Sequence, residues 1–201
     1  MVWWTAGIVL AVVLVYVVWT YNQLVSLSKR ADAAWSDIDV QLKRRWDLVP
    51  ALVETVKGYA QHESSTFEHV VAARGQAVQA GSITDRSASE QNLAAAVGKL
   101  FAVAEAYPEL KASENFQGLH NSLVEIENNV QYARRYYNAV IRDWNTLVGT
   151  IPSLWVAGAA GYGERPYFQL EAAERAAPRV TFEAQPAAGA GPAATESKKP
   201  G

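Results

Sequence analysis

Cysteine is absent from this sequence of 201 residues. Without a thiol, the chain cannot form disulfide bonds, use a cysteine nucleophile or bind a metal ion through thiolates. A surplus of positive charge is absent too, because the formal net charge is −2 at pH 7. Nucleic-acid-binding domains usually carry such a surplus, so we expect no nucleic-acid partner. Glycine and proline are sparse before residue 149 and concentrate after it, which divides the chain by composition.

The motifs of common catalytic and metal sites are missing as well. The three histidines, His62, His69 and His120, include no HExxH pair, and none follows a glutamate by three residues. These gaps exclude the zinc motif and the di-iron motif of helical bundles. The sequence has no glycine-rich loop ending in lysine and no GxSxG. Glu125 and Glu127 point in different directions on a helix, so they are not a catalytic pair. We therefore predict no catalytic residue, no metal site and no cofactor.

The first long feature that is present is an uncharged apolar run at residues 2–19, VWWTAGIVLAVVLVYVVW. As a helix it measures ~27 Å, close to the ~30 Å hydrocarbon core of a bilayer. Trp3 and Trp4 lie at one end, and Trp19 and Tyr21 at the other, as aromatic residues do at membrane interfaces. A cleaved signal peptide would need a basic start and a small-residue cleavage site, and a buried soluble helix is the other alternative. We predict a transmembrane anchor over residues 1–20.

The orientation of this anchor follows from the basic residues that flank it. Lys29 and Arg30 come after the apolar run, and residues 43–45 add three more basic side chains. Basic residues favour the cytoplasmic side of a membrane. We therefore predict that the N-terminus lies outside and that the body of the protein is cytoplasmic.

Residues 31–63 organise the rest of the chain. Positions at alternating steps of four and three are apolar except for Arg45, a pattern typical of a helix packed lengthwise on other helices: Ala31, Trp35, Ile38, Leu42, Arg45, Val49, Leu52, Val56 and Tyr59. Residues 21–28 contain no glycine or proline, so the membrane helix should continue into this segment as one rod, ending near His62. Pro50 predicts a kink or break near residues 48–50.

Three further long helices are predicted. The first covers residues 66–80 with an apolar side at Phe67, Val70, Val71 and Val78, and the second runs from 84 or 85 to 107. The last covers residues 113–148, and its apolar seam is uninterrupted: Phe116, Leu119, Leu123, Ile126, Val130, Ala133, Tyr137, Val140, Trp144 and Leu147. Short connections make neighbouring helices antiparallel. The fold class is therefore all-α, with an antiparallel bundle of about four long helices over residues 21–150.

Arg45 is the one charge on an apolar seam, and a buried charge needs a partner or a route to solvent. Its stem could pack while its head reaches water. Alternatively, it forms an ion pair with Glu125 or Glu127 that fixes the register of the helices. The basic clusters at 43–45 and 134–135 fit either a solvated face or a contact with anionic lipid or a partner.

Residues 151–171 form an apolar and aromatic segment. Four antiparallel helices bring its start back towards the bilayer, so we expect Trp155 and Tyr162, with Tyr167 and Phe168, at the membrane interface. The alternatives are that the segment covers the end of the bundle or binds a partner chain. Residues 172–201 are rich in Ala, Pro and Gly, which predicts a disordered tail.

Several blocks of the sequence resemble the bacterial LemA family. The first is YNQLVSLSKRADAAWSDIDVQLKRRWDLVPALVETVKGYAQHE, followed by AVAEAYPELKASENFQGL, YNAVIRDWN and IPSLWVAGAAGYGERPYF in the family's order. The resemblance covers residues 21–168, with Trp46 where the family has His and Ile151 where it has Phe. It implies a single-pass protein of the bacterial cytoplasmic (inner) membrane with a helical-bundle body, and it brings no established catalytic activity.

The resulting hypothesis is a membrane-anchored scaffold or assembly protein without catalytic activity. Its expected partners are the lipid bilayer and other membrane proteins or further copies of itself. The alternative is a receptor or adaptor that binds a peptide or small ligand and passes a signal to a partner. An enzyme is the third reading, and nothing in the sequence favours it.

Overall fold

A computed structural model describes residues 1–169 of the chain. These residues form six helices and no β-strand, which confirms the all-α prediction: α1 (Val2–Lys57), α2 (Ser64–Gln79), α3 (Ile83–Glu105), α4 (Pro108–Ala112), α5 (Glu114–Gly149) and α6 (Ser153–Ala159). Helices α1, α2, α3 and α5 are the four predicted long helices. The predicted disordered tail, residues 172–201, lies outside the described residues.

Helix α1 is a single helix of 56 residues that carries the apolar run directly into the body. The predicted break at Pro50 does not occur, because the helix continues past it to Lys57. Pro50 faces solvent, while Val49, Leu52 and Val53 are buried around it. Burial of these neighbours offsets the one backbone hydrogen bond that proline cannot make. The helix ends five residues before His62, so Tyr59 lies beyond it and is exposed instead of occupying the seam.

Helices α1 and α5 form the main antiparallel pair. Most bulky positions of the two predicted seams are buried, and one core includes Ile38 and Leu42 from α1 and Ile126, Val130 and Tyr137 from α5. Trp35, Leu119 and Leu147 are only partly buried. A second, smaller core forms at the membrane end of the pair from Leu24, Trp144, Val148 and Ala157. The last of these residues belongs to α6, so this small core attaches α6 to the pair.

Helices α2 and α3 form a hairpin that packs on the distal half of α1. At its turn, the Ser82 hydroxyl accepts a hydrogen bond from the Asp85 amide at 3.0 Å and caps α3. The predicted apolar side of α2 is partly wrong: Phe67 and Val70 are buried, whereas Val71 and Val78 are exposed. Ala73 and Ala77 are buried in their place. Alanine is small, so α2 and α3 pack closely only when it faces the partner helix.

Candidate functional site

No residue of the most apolar 18-residue stretch of the apolar run is buried. Trp3 and Trp4 lie near the first turn of α1, and Trp19 and Tyr21 lie about five turns further on; all four are exposed. Water is a poor solvent for such a surface, whereas lipid chains solvate it well. Length, composition and exposure together mark this part of α1 as a membrane anchor.

Helix α6 lies beside the apolar run. Pro152, Trp155, Val156 and Ala159 line one wall of a crevice whose other wall is formed by Val12, Val13, Tyr16 and Val17 of α1. Trp155 is 67% exposed. Tyr162, the other aromatic residue predicted for the interface, is half-buried, with its ring 5.2 Å from that of Trp144.

The residues after Tyr162 turn away from the apolar run and follow α5 as an extended strap (residues 163–169). Of the aromatic residues predicted for the membrane interface, Phe168 is therefore misplaced: it is fully buried, with its ring 5.4 Å from that of Trp35. Tyr167 belongs to the same strap. The succession of four antiparallel helices correctly predicts that α5 runs back towards the membrane end, but it cannot show that the chain reverses again after α6.

Two asparagines of α5 hold the strap by its backbone. The Asn145 side chain accepts from the Arg165 amide at 2.9 Å and donates to its carbonyl at 3.0 Å. Asn138 forms the same pair of bonds with Phe168, both at 3.0 Å. A carboxamide carries N–H donors beside a carbonyl acceptor, so it can bond both backbone groups of one residue as a neighbouring strand would. The two asparagines are seven residues apart, which places both on one face of α5.

Further contacts fix the strap between α1, α5 and α3. The Trp144 indole donates to the Gly163 carbonyl at 2.8 Å, and the Tyr137 hydroxyl donates to the Pro166 carbonyl at 3.0 Å. Burial raises the pKa of Tyr137, which keeps this hydroxyl protonated as a donor.

Other contacts join the strap to α1 and α3. The Arg165 guanidinium contacts Asp32 of α1 at 2.8 Å. Gln91 donates to the Gln169 carbonyl at 2.9 Å.

A buried charge cluster joins three helices around Arg45. Its guanidinium pairs with Glu90 of α3 at 3.0 Å and with Glu127 of α5. The Trp46 indole donates to the second carboxylate oxygen of Glu90 at 2.6 Å. The Arg45 side chain is only 6% exposed, so its charge is balanced mainly by the two carboxylates and little by water. Burial of Glu90 raises its pKa, while the charge of Arg45 opposes that rise.

Of the two predicted partners of Arg45, the structure brings only Glu127 to it. Glu125 lies along a different groove, with Arg44 and Asp47. Sequence reasoning missed Glu90, because a search for apolar residues at helical spacing passes over a glutamate. Its one signal was its position three residues before the buried Leu93, which places it on the same face of α3.

A groove separates α3 from α5 above this cluster. It consists of two adjoining cavities of about 320 and 340 Å³ that share Phe101 and His120. Arg45 and Glu127 lie at one end of the groove and Lys111 at the other. The wall between these ends is largely apolar, so the groove could accept an extended apolar ligand with polar ends.

Comparison with known proteins adds the family. The LemA family profile matches residues 34–182. Magnetosome proteins MamQ 1 and MamQ 2 of Paramagnetospirillum magneticum are each 28% identical over 175 residues, and MamQ of Magnetospirillum gryphiswaldense is 26% identical over 174. Each alignment covers 74% of this chain and 64% of the relative. The chain thus spans less than two thirds of the length of these relatives. Because the family profile covers most of the sequence, the chain belongs to the LemA family.

Proposed function

We propose that this protein is a scaffold or assembly factor at the bacterial cytoplasmic membrane. The observation that carries the proposal is the continuity of α1, in which one helix provides first the exposed apolar run and then the core of the bundle. Anchor and body are therefore one rigid part. Such a part holds a surface at a fixed height above the bilayer, which is what a scaffold requires.

The proposed orientation places the body in the cytoplasm. Lys29 and Arg30 follow the apolar run closely, and basic residues near a membrane helix favour the cytoplasmic side. A reporter that is active only outside the cytoplasm, fused after Ser197, should be inactive. Activity of that fusion would reverse the orientation, and a mature N-terminus near Tyr21 would remove the anchor.

The relatives support an assembly role. They are named as magnetosome proteins, and we take this as support for a role in an assembly of proteins. None of these names is that of an enzyme, and we propose that this chain lacks catalytic activity. Turnover of a substrate that depends on one polar residue, such as Glu127, would contradict this part of the proposal.

Cross-linking mass spectrometry in native membranes tests the scaffold directly. We expect cross-links from the exposed lysines of the body, for example Lys43, Lys99 and Lys111, to other membrane proteins or to further copies of the chain. Purification in mild detergent should retain the same partners. If the chain is recovered alone and its cross-links are all internal to one copy, the scaffold proposal fails.

The groove between α3 and α5 favours a second candidate function, that of a receptor or adaptor for a peptide or small ligand. Val97, Phe101 and Leu123 give it an apolar wall, and Arg45 offers charge at one end. Gly98 also lines it and has open space where a side chain would extend. Gly98→Trp should therefore block the groove. If the protein is a scaffold, its partners should stay bound to this variant. If the variant loses its partners, binding depends on the groove, and the adaptor function is favoured.

A further inference from the structure

The crevice between α1 and α6 is a surface cavity of about 570 Å³ whose walls are almost entirely apolar. Every lining residue is apolar or aromatic, and only Tyr16 and Trp155 carry a polar side-chain atom: Val12, Val13, Tyr16, Val17, Pro152, Trp155, Val156 and Ala159. A site with so few polar groups cannot orient a polar ligand. It can hold only a hydrocarbon chain or another apolar surface.

The position of the crevice along the membrane normal follows from the position of its lining residues on α1. Its lining residues, Val12 to Val17, precede Trp19 by two to seven residues. At 1.5 Å per residue they lie about 3 to 10 Å along the apolar run from Trp19. If Trp19 marks the membrane interface, α6 lies just inside the hydrocarbon, at the depth of about 5 to 10 Å where amphipathic interfacial helices are found.

The sequence around α6 is compatible with that depth. No charged side chain occurs between Asp143 and Glu164, a stretch of uncharged residues as long as the apolar run itself. Ile151, Leu154 and Trp155 point outward and are exposed. In water, these three side chains and the adjoining apolar run would form one continuous apolar surface, which soluble proteins avoid. In a bilayer the same surface is solvated.

Backbone groups at this depth need partners within the protein. The turn into α6 supplies them locally, because the Leu154 amide donates to the Thr150 carbonyl at 2.7 Å. The Ser153 hydroxyl donates to the carbonyls of Leu147 at 2.7 Å and Thr150 at 2.8 Å. Ala157 packs into the small core with Trp144. The N-terminal turn of α6 thus has hydrogen-bond partners within the protein, and the helix is packed against α5.

We propose that α6 is embedded in the cytoplasmic leaflet beside the apolar run, and that an acyl chain of a bilayer lipid occupies the crevice between them. The crevice is continuous with the lipid-facing surface of α1, so lipid is the occupant that already surrounds it. The inference rests on the anchor and, for the choice of leaflet, on the orientation in the proposed function, and it adds a second embedded element and a lipid site. The binding of interfacial helices to one leaflet depends on lipid composition and curvature, so the embedding of α6 should depend on both.

Fluorescent labels report the depth of α6. Because the chain lacks cysteine, Trp155→Cys introduces a single thiol for an environment-sensitive dye in the full chain, reconstituted in phosphatidylcholine–phosphatidylglycerol vesicles. Val9→Cys in the apolar run and Val71→Cys on α2 are matched controls, since both positions are exposed in the protein. Spin-labelled acyl chains should quench the dye at positions 155 and 9 strongly and at position 71 little. Iodide in the buffer should give the opposite order.

These controls separate the two proposals. If the label at position 9 is quenched by lipid but that at 155 responds only to iodide, the anchor stands and the embedded α6 is wrong. If neither position is quenched by lipid, the anchor fails as well. Cross-linking between two copies through position 155, without lipid quenching there, would show that a second copy covers the crevice and would also overturn the inference.

Occupancy of the crevice by lipid needs a separate measurement. Ala159 and Ala160 are both exposed, but only Ala159 lines the crevice. Ala159→Trp should fill the space and remove a motionally restricted component from the spectrum of spin-labelled lipid, and Ala160→Trp should leave that component unchanged. Absence of a restricted component in the unaltered protein, or equal components in all three proteins, would overturn the lipid site.

Discussion

The α1–α5 pair and the α2–α3 hairpin bury very different residues. The pair packs large side chains against each other, among them Ile38, Leu42, Tyr137 and Trp144. In the hairpin, large buried residues such as Phe67, Leu93 and Leu100 are interspersed with small ones: Ala73, Ala77, Ser87, Ser89, Ala96 and Ala104. Burial of apolar area contributes about 25 cal/mol per Å², so the pair supplies more of the stabilisation than the hairpin.

The two regions share one hydrophobic core, and a small number of polar contacts join them as well. The buried cluster is one of them, because Arg45 of α1 contacts Glu90 of α3 and Glu127 of α5 together. At the turn of the hairpin, Arg86 pairs with Asp39, and its guanidinium lies 5.4 Å from the centre of the Trp46 ring. Electrostatic and cation–π contacts thus add to the apolar contacts that hold the hairpin on α1. The regions should therefore fail in different ways when altered.

Breaking the α1–α5 pair should have the largest effect. Leu42 is fully buried in it, and Leu42→Asp places an unpaired charge in the core. We expect loss of the cooperative thermal transition seen by circular dichroism in detergent. Val40→Asp, two residues away and exposed, is the control and should melt like the unaltered protein. Unchanged melting of Leu42→Asp would mean that the seam has been misassigned.

Removing the link between the regions should cost less. Glu90→Ala leaves Arg45 with one carboxylate fewer and leaves the Trp46 indole without its acceptor. Breaking a buried ion pair in this way costs roughly 3–5 kcal/mol. Chemical denaturation should show this loss, and hydrogen exchange should rise first in α2 and α3. A uniform rise across α1 and α5 would contradict the division into two regions.

The strap offers a more local test. Asn138→Ala removes both partners of the Phe168 backbone, and Asn145→Ala does the same for Arg165. Unsatisfied polar groups cost about 1–3 kcal/mol each. Hydrogen exchange should accelerate at the Phe168 amide in the first variant and at the Arg165 amide in the second. Equal acceleration at both amides in both variants would show that the strap detaches as one unit.

The pH dependence of stability sharpens the role of Glu90. Burial raises its pKa in the folded protein above the ordinary value of 4.5. Between the unfolded and folded values, the folded state binds more protons, so this residue makes stability fall as pH rises from about 4.5, by at most ~1.4 kcal/mol per pH unit.

Glu90→Gln removes this titration and is the matched variant for the measurement. The stability of the unaltered protein minus that of the variant should decrease with rising pH above about 4.5. Other titrating groups cancel in the difference. An increase instead would mean that attraction to Arg45 outweighs burial and lowers the pKa of Glu90.

The smallest effects concern the two glutamates predicted as partners of Arg45. We expect Glu127→Ala to cost about 1 kcal/mol, because its side chain is 40% exposed and water partly replaces it. Glu125→Ala should change stability by less than ~0.5 kcal/mol, as exposed substitutions do. Denaturant titration of both variants checks the order, and a larger loss for Glu125 would contradict the observed register.

Sequence reasoning was most accurate where bulky residues repeat at helical spacing. The seams of α1 and α5 are such cases: most of their predicted positions are buried, although Ile141 and Val148 are buried too and were not predicted. It was wrong in α2, where Val71 is more hydrophobic than Ala73 but the closeness of α3 favours the smaller residue. It missed Glu90 because a search for apolar residues passes over a charge, and it missed the strap because its bonds join residues far apart in sequence.

The unbroken helix α1 has a mechanical consequence. From Trp19 to Lys57 it extends the apolar run by about 57 Å without a joint. Membrane helices tilt by about 20° on average, and a tilt of that size would carry the distal tip sideways by roughly 20 Å. The part of α1 beyond Trp19 is therefore about twice as long as the apolar run in the lipid. A change in bilayer thickness that alters the tilt of the apolar run would move the far end of the body.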